Sequence, residues 1–198
     1  MKDIANTPLV SIICSTYNHG LYISQCLDGF LMQKTNFPFE IVIHDDASTD
    51  NTPDIIREYE HNQPQVIRPI YQKENKYSKK EDIFAKYQCS RVRGKYIAIC
   101  EGDDYWIDPL KLQKQIDFLE NNPDYGMIYT TSKVYNQKEG KIEEDIIGRE
   151  FNGYIELLSG NCIPTLTTCI RSSLVMEYLK EVEPKSKNWL MGDYPMWL

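Results

Sequence analysis

The sequence predicts an α/β domain built on an open, mostly parallel, twisted sheet flanked by helices. Three observations carry this expectation. Short β-branched runs alternate with stretches whose apolar residues recur at helical spacing. A length of 198 residues suits one such domain, with enough chain to bury its own core. Three of the strand-like runs end in polar clusters that simple turns do not explain.

The elements follow in order. Leu9 to Cys14 reads as the first buried strand, and Tyr22, Ile23, Cys26, Leu27, Phe30 and Leu31 then recur on one helical face. Ile41 to His44 is the second strand. Thr52 and Pro53 form an N-cap and N1 pair for a helix through about Glu60. Val66 to Tyr71 is a third strand, and the polar, Lys-rich Gln72 to Lys80 is a loop leading into a helix near Ile83 to Val92. Tyr96 to Cys100 is the fourth strand. Pro109 opens a helix with Leu112, Ile116 and Leu119 inward. Gly126 to Tyr135 reads as a fifth strand and Gln137 to Glu150 as a charged loop or hairpin. Beyond it come a strand at Thr165 to Ile170 and a helix from Ser172. The chain stops at Leu198, just after Trp197, in the manner of a sequence cut rather than finished.

Composition narrows the function classes. A hydrophobic content of 41% and a charged fraction of 26% are ordinary for a globular protein. The net charge of −7 argues against nucleic acid, whose phosphates call for clustered Lys and Arg. An acidic protein still binds an anionic nucleotide when a divalent metal lies between them. The six cysteines show no CxxC spacing, and Cys14 and Cys100 sit inside apolar runs, which reads as buried thiols in a reducing, cytoplasmic setting. Met1 to Thr7 has no apolar signal core, and no apolar run approaches the ~18–20 residues of a membrane span.

In open α/β sheets ligands bind beyond the carboxyl ends of the strands. Here the first strand runs into Ser15-Thr16-Tyr17-Asn18, the second into Asp45-Asp46-Ala47-Ser48-Thr49-Asp50, and the fourth into Glu101-Gly102-Asp103-Asp104. Parallel pairing brings all three to one sheet edge. Ser48, Asp50 and Thr52 are natural turn and cap residues, and Thr16 and Asn18 also suit a turn. Adjacent Asp45 and Asp46 are not explained that way. Three carboxylates within Glu101 to Asp104 repel one another unless a cation offsets them, and an oxygen-only set suits Mg²⁺ or Mn²⁺. Such an ion bridges to a diphosphate and stabilises it as a leaving group. No GxGxxG or P-loop follows any strand.

These clusters, in this order, together with Val10-Ser11-Ile12 and Gly94-Lys95-Tyr96-Ile97, resemble the family 2 glycosyltransferases, especially bacterial members that build surface polysaccharides. The resemblance covers about residues 8 to 135. It implies the GT-A (Rossmann-like) fold, a nucleotide-diphosphate sugar donor, most often a UDP-sugar, and Mn²⁺ or Mg²⁺. By position, Ser15, Tyr17 and Asp46 would hold the nucleobase region, Asp103 would approach the ribose or phosphate side, and Asp104 would ligate the metal. Tyr105-Trp106-Ile107-Asp108-Pro109 fits the segment that follows the metal motif. Lys76 stands where many relatives have Gly, and Glu101 where Asp is commoner, so the roles of Lys76, Lys79, Lys80 and Glu101 stay open.

Inverting members use a late carboxylate as general base, and Gly192-Asp193-Tyr194 falls at that place. Asp193 followed by Pro195 is equally a helix cap, and the two roles can coexist. His19 and His44 read as a loop and a strand histidine, and Cys162 and Cys169 as core. Asn161 to Thr168 lines a sugar pocket or only packs. Trp189 and Trp197 are either sugar-stacking or core residues. The expectation is one catalytic domain over 1–198, with a sugar-donor half at about 8–135 and an acceptor-side segment at about 136–198. It would be an inverting hexosyl- or N-acetylhexosaminyl-type transferase. It would work on a glycan or lipid-linked acceptor, in the cytoplasm, as a peripheral protein at the inner membrane face. The rivals are a sugar-nucleotidyltransferase, whose Gly-rich basic loop is missing after the first strand, and a degenerate sugar-nucleotide-binding module.

Overall fold

The computed structural model describes residues 7–187, 189 and 193–198. Four parallel strands form the body of the sheet: β1 (Val10–Thr16), β2 (Phe39–Asp45), β3 (Ile67–Tyr71) and β4 (Tyr96–Ile99). Further along the chain come β5 (Met127–Ile128), β6 (Ser132–Asn136), β7 (Lys141–Ile147) and β8 (Cys169–Arg171). The six-stranded sheet has the order β3-β2-β1-β4-β8-β5, and β8 runs antiparallel to both neighbours. From β1 the chain winds outward to β2 and β3, then returns to place β4 on the other side. The strand order therefore reverses between β1 and β4, where such sheets bind their ligands.

Alternation along the strands supplies two cores. Ile12 and Cys14 face helices α1 (Ile23–Leu31), α2 (Thr52–Asn62) and α3 (Lys111–Asn121), meeting Leu27, Phe30, Ile56, Leu112 and Leu119. Ile13, Ile97 and Ile99 face the opposite side, against Leu157 of α4 (Tyr154–Leu158), Val175 of α5 (Ser172–Val182) and Trp197 of α6 (Tyr194–Trp197). All six cysteines are free and buried. Among the described residues no helix is long and apolar enough to cross a membrane.

Four local expectations are corrected. The fifth strand contributes only Met127–Ile128 to the sheet; Ser132–Asn136 departs to pair with Lys141–Ile147, so the charged stretch is a hairpin. The switch occurs at Thr130, whose N–H donates to Thr167 Oγ1 at 3.1 Å while that hydroxyl donates back to Thr130 O at 2.8 Å. The expected helix over 83–92 is a π-helical turn, Phe84–Gln88, followed by a 3₁₀ turn, Cys89–Arg91. It turns the Gln88 amide inward, donating to Cys14 O at 3.0 Å. Thr165–Thr167 is a 3₁₀ turn, and the strand there begins only at Cys169. Thr52 lies inside α2 rather than capping it, and its N–H donates to Asp50 Oδ1 at 2.9 Å.

The amino-terminal end of the sheet is tied by one buried carboxylate. Glu40, 1% exposed, accepts from Ser11 Oγ (2.6 Å), Arg68 Nη1 (2.7 Å), Arg93 Nε (2.8 Å) and the Arg93 backbone N–H (3.0 Å). Burial alone raises the Glu40 pKa, but the bonds from Ser11, Arg93 and Arg68 outweigh it and leave the pKa lowered. These bonds join β1, β2, β3 and the turn into β4. Glu40→Ala should cost about 3–5 kcal/mol at neutral pH, because it strands two guanidiniums against a buried edge. Since the folded pKa is depressed, the stabilisation exists above the unfolded carboxylate range and is lost as pH falls through the folded value. Urea unfolding at pH 7 and below pH ~4 should show the gap between wild type and variant closing on acidification. A gap independent of pH would assign the effect to packing alone.

Candidate active site

The site is built at the carboxyl edge of β1, β2 and β4. Thr16 pairs with Asp45 at the ends of β1 and β2, so their loops leave the sheet side by side. Backbone bonds continue the ladder past the strands: Asp46 N donates to Thr16 O (3.0 Å) and Gly102 N to Ser15 O (2.9 Å). A Cβ on Gly102 would lie 2.7 Å from Thr16 Oγ1 and 2.9 Å from His19 Nδ1, so only glycine lets the acidic loop lie this close to the first loop.

Much of the second polar cluster braces the first. Asn18 N donates to Ser48 Oγ (2.9 Å), Thr49 N to Asn18 Oδ1 (2.8 Å) and Gly20 N to Asp50 Oδ2 (2.9 Å). Ser48 Oγ in turn donates to Asp45 Oδ1. Asn18 and Ala47 sit in the left-handed region, at φ 56° and 62°. That conformation costs a non-glycine residue on the order of 1 kcal/mol or more, and these cross-loop bonds hold it. Ser48 and Asp50 thus act as turn and cap residues, and they also fasten one loop to the other.

Asp46 is buried and its carboxylate is engaged on both oxygens. Oδ1 accepts the Lys76 N–H at 2.7 Å and Oδ2 the Tyr77 N–H at 2.9 Å, so Asp46 positions the lysine-rich loop. Within that loop Lys76 Nζ pairs with Glu74 (2.8 Å) and Glu81 (3.4 Å), and Lys79 also pairs with Glu74. Ser15 Oγ donates to Gln88 Oε1 at 3.2 Å, and Tyr17 is 43% exposed at the rim. Gln88 lay outside the motif reading because its contact with Ser15 spans 73 residues.

Glu101, Asp103 and Asp104 each turn one carboxylate oxygen into a group spanning less than 4.8 Å. Burial, and then the Asp103 charge, push the Asp104 pKa up to about 6. Partial desolvation and the charges of Asp103, Asp104 and Asp193 raise Glu101. Crowded, all-oxygen ligands at this spacing fit a hard divalent cation. His19 Nε2 stands 3.9 Å from Asp103 Oδ2. His44 is fully buried, its pKa lowered by desolvation, with Nε2 3.1 Å from Gln72 Nε2.

Asp193 comes about 90 residues after the acidic loop, yet it lies near enough for its charge to bear on Glu101. It caps α6, with Oδ1 accepting the Tyr194 N–H at 2.7 Å, and Oδ2 accepts the Thr165 hydroxyl. Gly192, the neighbour that completes the late motif, lies outside the described residues. Of the aromatic candidates, Trp189 is 45% exposed, whereas Trp197 packs into the second core. Cys162 and Cys169 are core residues, as expected.

The model of glycosyl transferase family 2 matches residues 11–177. An uncharacterized protein of Mycobacterium tuberculosis is 43% identical over 137 residues, covering 68% of this chain and 38% of its own length. The putative teichuronic acid biosynthesis glycosyltransferase TuaG of Bacillus subtilis is 30% identical over 163 residues, covering 82% of this chain and 62% of its own. The chain therefore spans less than two thirds of these relatives. Among solved structures, S. aureus TarS 1–349 in complex with UDP superposes with a TM-score of 0.63 at 22% identity, over 88% of this chain and 49% of that one. The mannosyltransferase PcManGT of Pyrobaculum calidifontis, in complex with GDP-Man and Mn²⁺, gives 0.60 at 20%, over 86% and 46%. The fold is GT-A, the family match runs through all three polar loops of the site, and the chain belongs to glycosyl transferase family 2.

Proposed function

We propose that this chain carries the sugar-donor site and the general base of an inverting, metal-dependent glycosyltransferase. It would use a UDP-sugar and act on a glycan or lipid-linked acceptor in polysaccharide biosynthesis. The observation that carries the reading is the acidic group Glu101, Asp103 and Asp104 at the reversal of strand order, with Asp193 facing it from the acceptor side. WfaP of Escherichia coli, named a UDP-Glc β-1,3-glucosyltransferase, is 33% identical over 131 residues, which supports the uridine donor. The Mn²⁺ seen with PcManGT supports the metal. The six buried free thiols fit a reducing compartment, and we place the enzyme in the cytoplasm, peripheral to the inner membrane face.

In this reading Tyr17 offers an exposed aromatic face to the nucleobase, Ser15 a hydroxyl, and Asp46 shapes the same pocket through the loop it clamps. Asp103 approaches the ribose or phosphate, and Asp104, supported by Glu101, holds Mn²⁺ or Mg²⁺. The bound ion would neutralise charge on the leaving diphosphate. Asp193 takes the proton of an acceptor hydroxyl as its oxygen bonds to the anomeric carbon. The bond from that carbon to the diphosphate breaks on the opposite face, which inverts the centre. The family match and the missing Gly-rich basic loop disfavour a nucleotidyltransferase.

Calorimetry of UDP binding should show affinity with Mn²⁺ that collapses in EDTA, because an acidic site repels a bare diphosphate. Asp104→Asn should lose this metal-dependent binding. Equal affinity with and without chelator would remove the metal from the proposal. Asp193→Asn, in the full-length protein, should bind UDP and Mn²⁺ like wild type while transfer slows by about 10²–10⁴-fold. A normal transfer rate would leave Asp193 a helix cap only.

Asp46→Ala should free the 76–77 loop and weaken UDP binding by about 1.5–3 kcal/mol while the sheet stays folded. Hydrogen exchange at the Lys76 and Tyr77 amides should speed up in the same variant. Protection retained at both amides would show that the loop is held by other contacts.

A further inference from the structure

The 3₁₀ turn Thr165–Thr167 is fixed from three directions. Trp106, two residues past the acidic loop, donates Nε1–H to Leu166 O at 2.8 Å. Gln115 of α3, itself buried, donates Nε2–H to Thr167 O at 2.8 Å. Thr167 Oγ1 lies 2.8 Å from both Pro164 O and Thr130 O, which share its one proton, and accepts the Thr130 N–H. A short turn held by buried bonds on each carbonyl is a rigid bracket. Its remaining side chain, Thr165, reaches across 28 residues to donate its hydroxyl to Asp193 Oδ2.

Among the described residues the other Asp193 oxygen accepts the N–H of its own neighbour, Tyr194, which fixes the carboxylate to α6 but not to the sheet. Thr165 supplies the link to the sheet, and through Leu166 and Trp106 to the acidic loop. We infer that Thr165 is a positioning residue: its hydroxyl sets the Asp193 carboxylate at a fixed place relative to the Glu101–Asp104 group. The inference rests on the reading of Asp193 as the base.

The test uses the full-length protein with three variants, Thr165→Val, Thr165→Ala and Thr165→Ser, beside Asp193→Asn. UDP release is followed with UDP-glucose and UDP-N-acetylglucosamine in Mn²⁺, with water as acceptor. Thr165→Val and Thr165→Ala should lower turnover by about 10–100-fold, the scale of a misplaced reacting group, with UDP affinity unchanged. Thr165→Ser should restore most of it. A second readout separates positioning from binding: the loss in Thr165→Val should fall on kcat, with KM for the UDP-sugar near wild type, and should be recovered in Thr165→Ser. If Asp193→Asn is slow but Thr165→Val turns over like wild type, the inference fails and the base stands. If Thr165→Ser is as slow as Thr165→Val, the hydroxyl is not the cause and the inference fails. If Asp193→Asn is itself unimpaired, the base reading falls first and takes the inference with it.

Discussion

Mutual repulsion among carboxylates at one edge of the sheet is the constraint around which this structure is arranged. Glu101, Asp103 and Asp104 crowd their oxygens together, and Asp193 adds a fourth charge from another segment. Nothing in an apolar sheet rewards such crowding, and burial first, then the neighbouring charges, raise the pKa values of Glu101 and Asp104. The fold tolerates it because the strands beneath are anchored independently. β1 and β4 are buried along their length, and the chain makes its sharp approach at Gly102, where no side chain fits. The strain stays local to the ligand edge.

The opposite edge shows how the same protein treats a charge it keeps for structure. Glu40 is more deeply buried than any of the site carboxylates, yet its pKa is lowered because two arginines and a serine answer it. The two ends of the sheet therefore carry opposite electrostatics: satisfied at the amino edge, unsatisfied at the carboxyl edge. Lys111 shows a third treatment. Its ammonium is buried beside Gln115 and over the Trp106 ring at 4.0 Å, and burial brings its pKa down to about 8. It sits under the segment that follows the acidic loop, but it is turned into the core rather than toward the carboxylates, and it does not neutralise them.

Legibility in the sequence followed the range of the interactions. β1 to β4, α1 and α3 were readable because apolar periodicity within each segment determines them, as in Val10-Ser11-Ile12 or Leu112, Ile116 and Leu119. The three polar loops were readable because each is contiguous. What could not be read depends on partners far along the chain. Thr130 leaves the sheet because of Thr167, and Gln88 turns inward for Cys14 and Ser15. The sequence marks Asp46 as more than a turn residue, but its hold on the Lys76 and Tyr77 amides is a contact across 30 residues or more. Asp50 suits a turn and cap on its own segment, while its bond to Gly20 belongs to the meeting of two loops.

The two parts of the site are held differently. The three polar loops rest on the sheet itself: parallel strands in register, with the first two loops bonded to one another through Asn18, Ser48 and Asp50. Asp193 has no such ladder: it caps a four-residue helix, and among the described residues its carboxylate is bonded toward the acidic loop through Thr165, whose turn Trp106 holds at Leu166. A helix of that length has little stability of its own, so its place must come from tertiary bonds. The polar loops thus sit on the sheet, while Asp193 is placed by a few side-chain bonds. The link through Thr165 is one tie among several: β8 pairs antiparallel with β4, and Tyr22 Oη donates to Gln137 Oε1 at 2.9 Å, so a change near Asp193 reaches the sheet by more than one path.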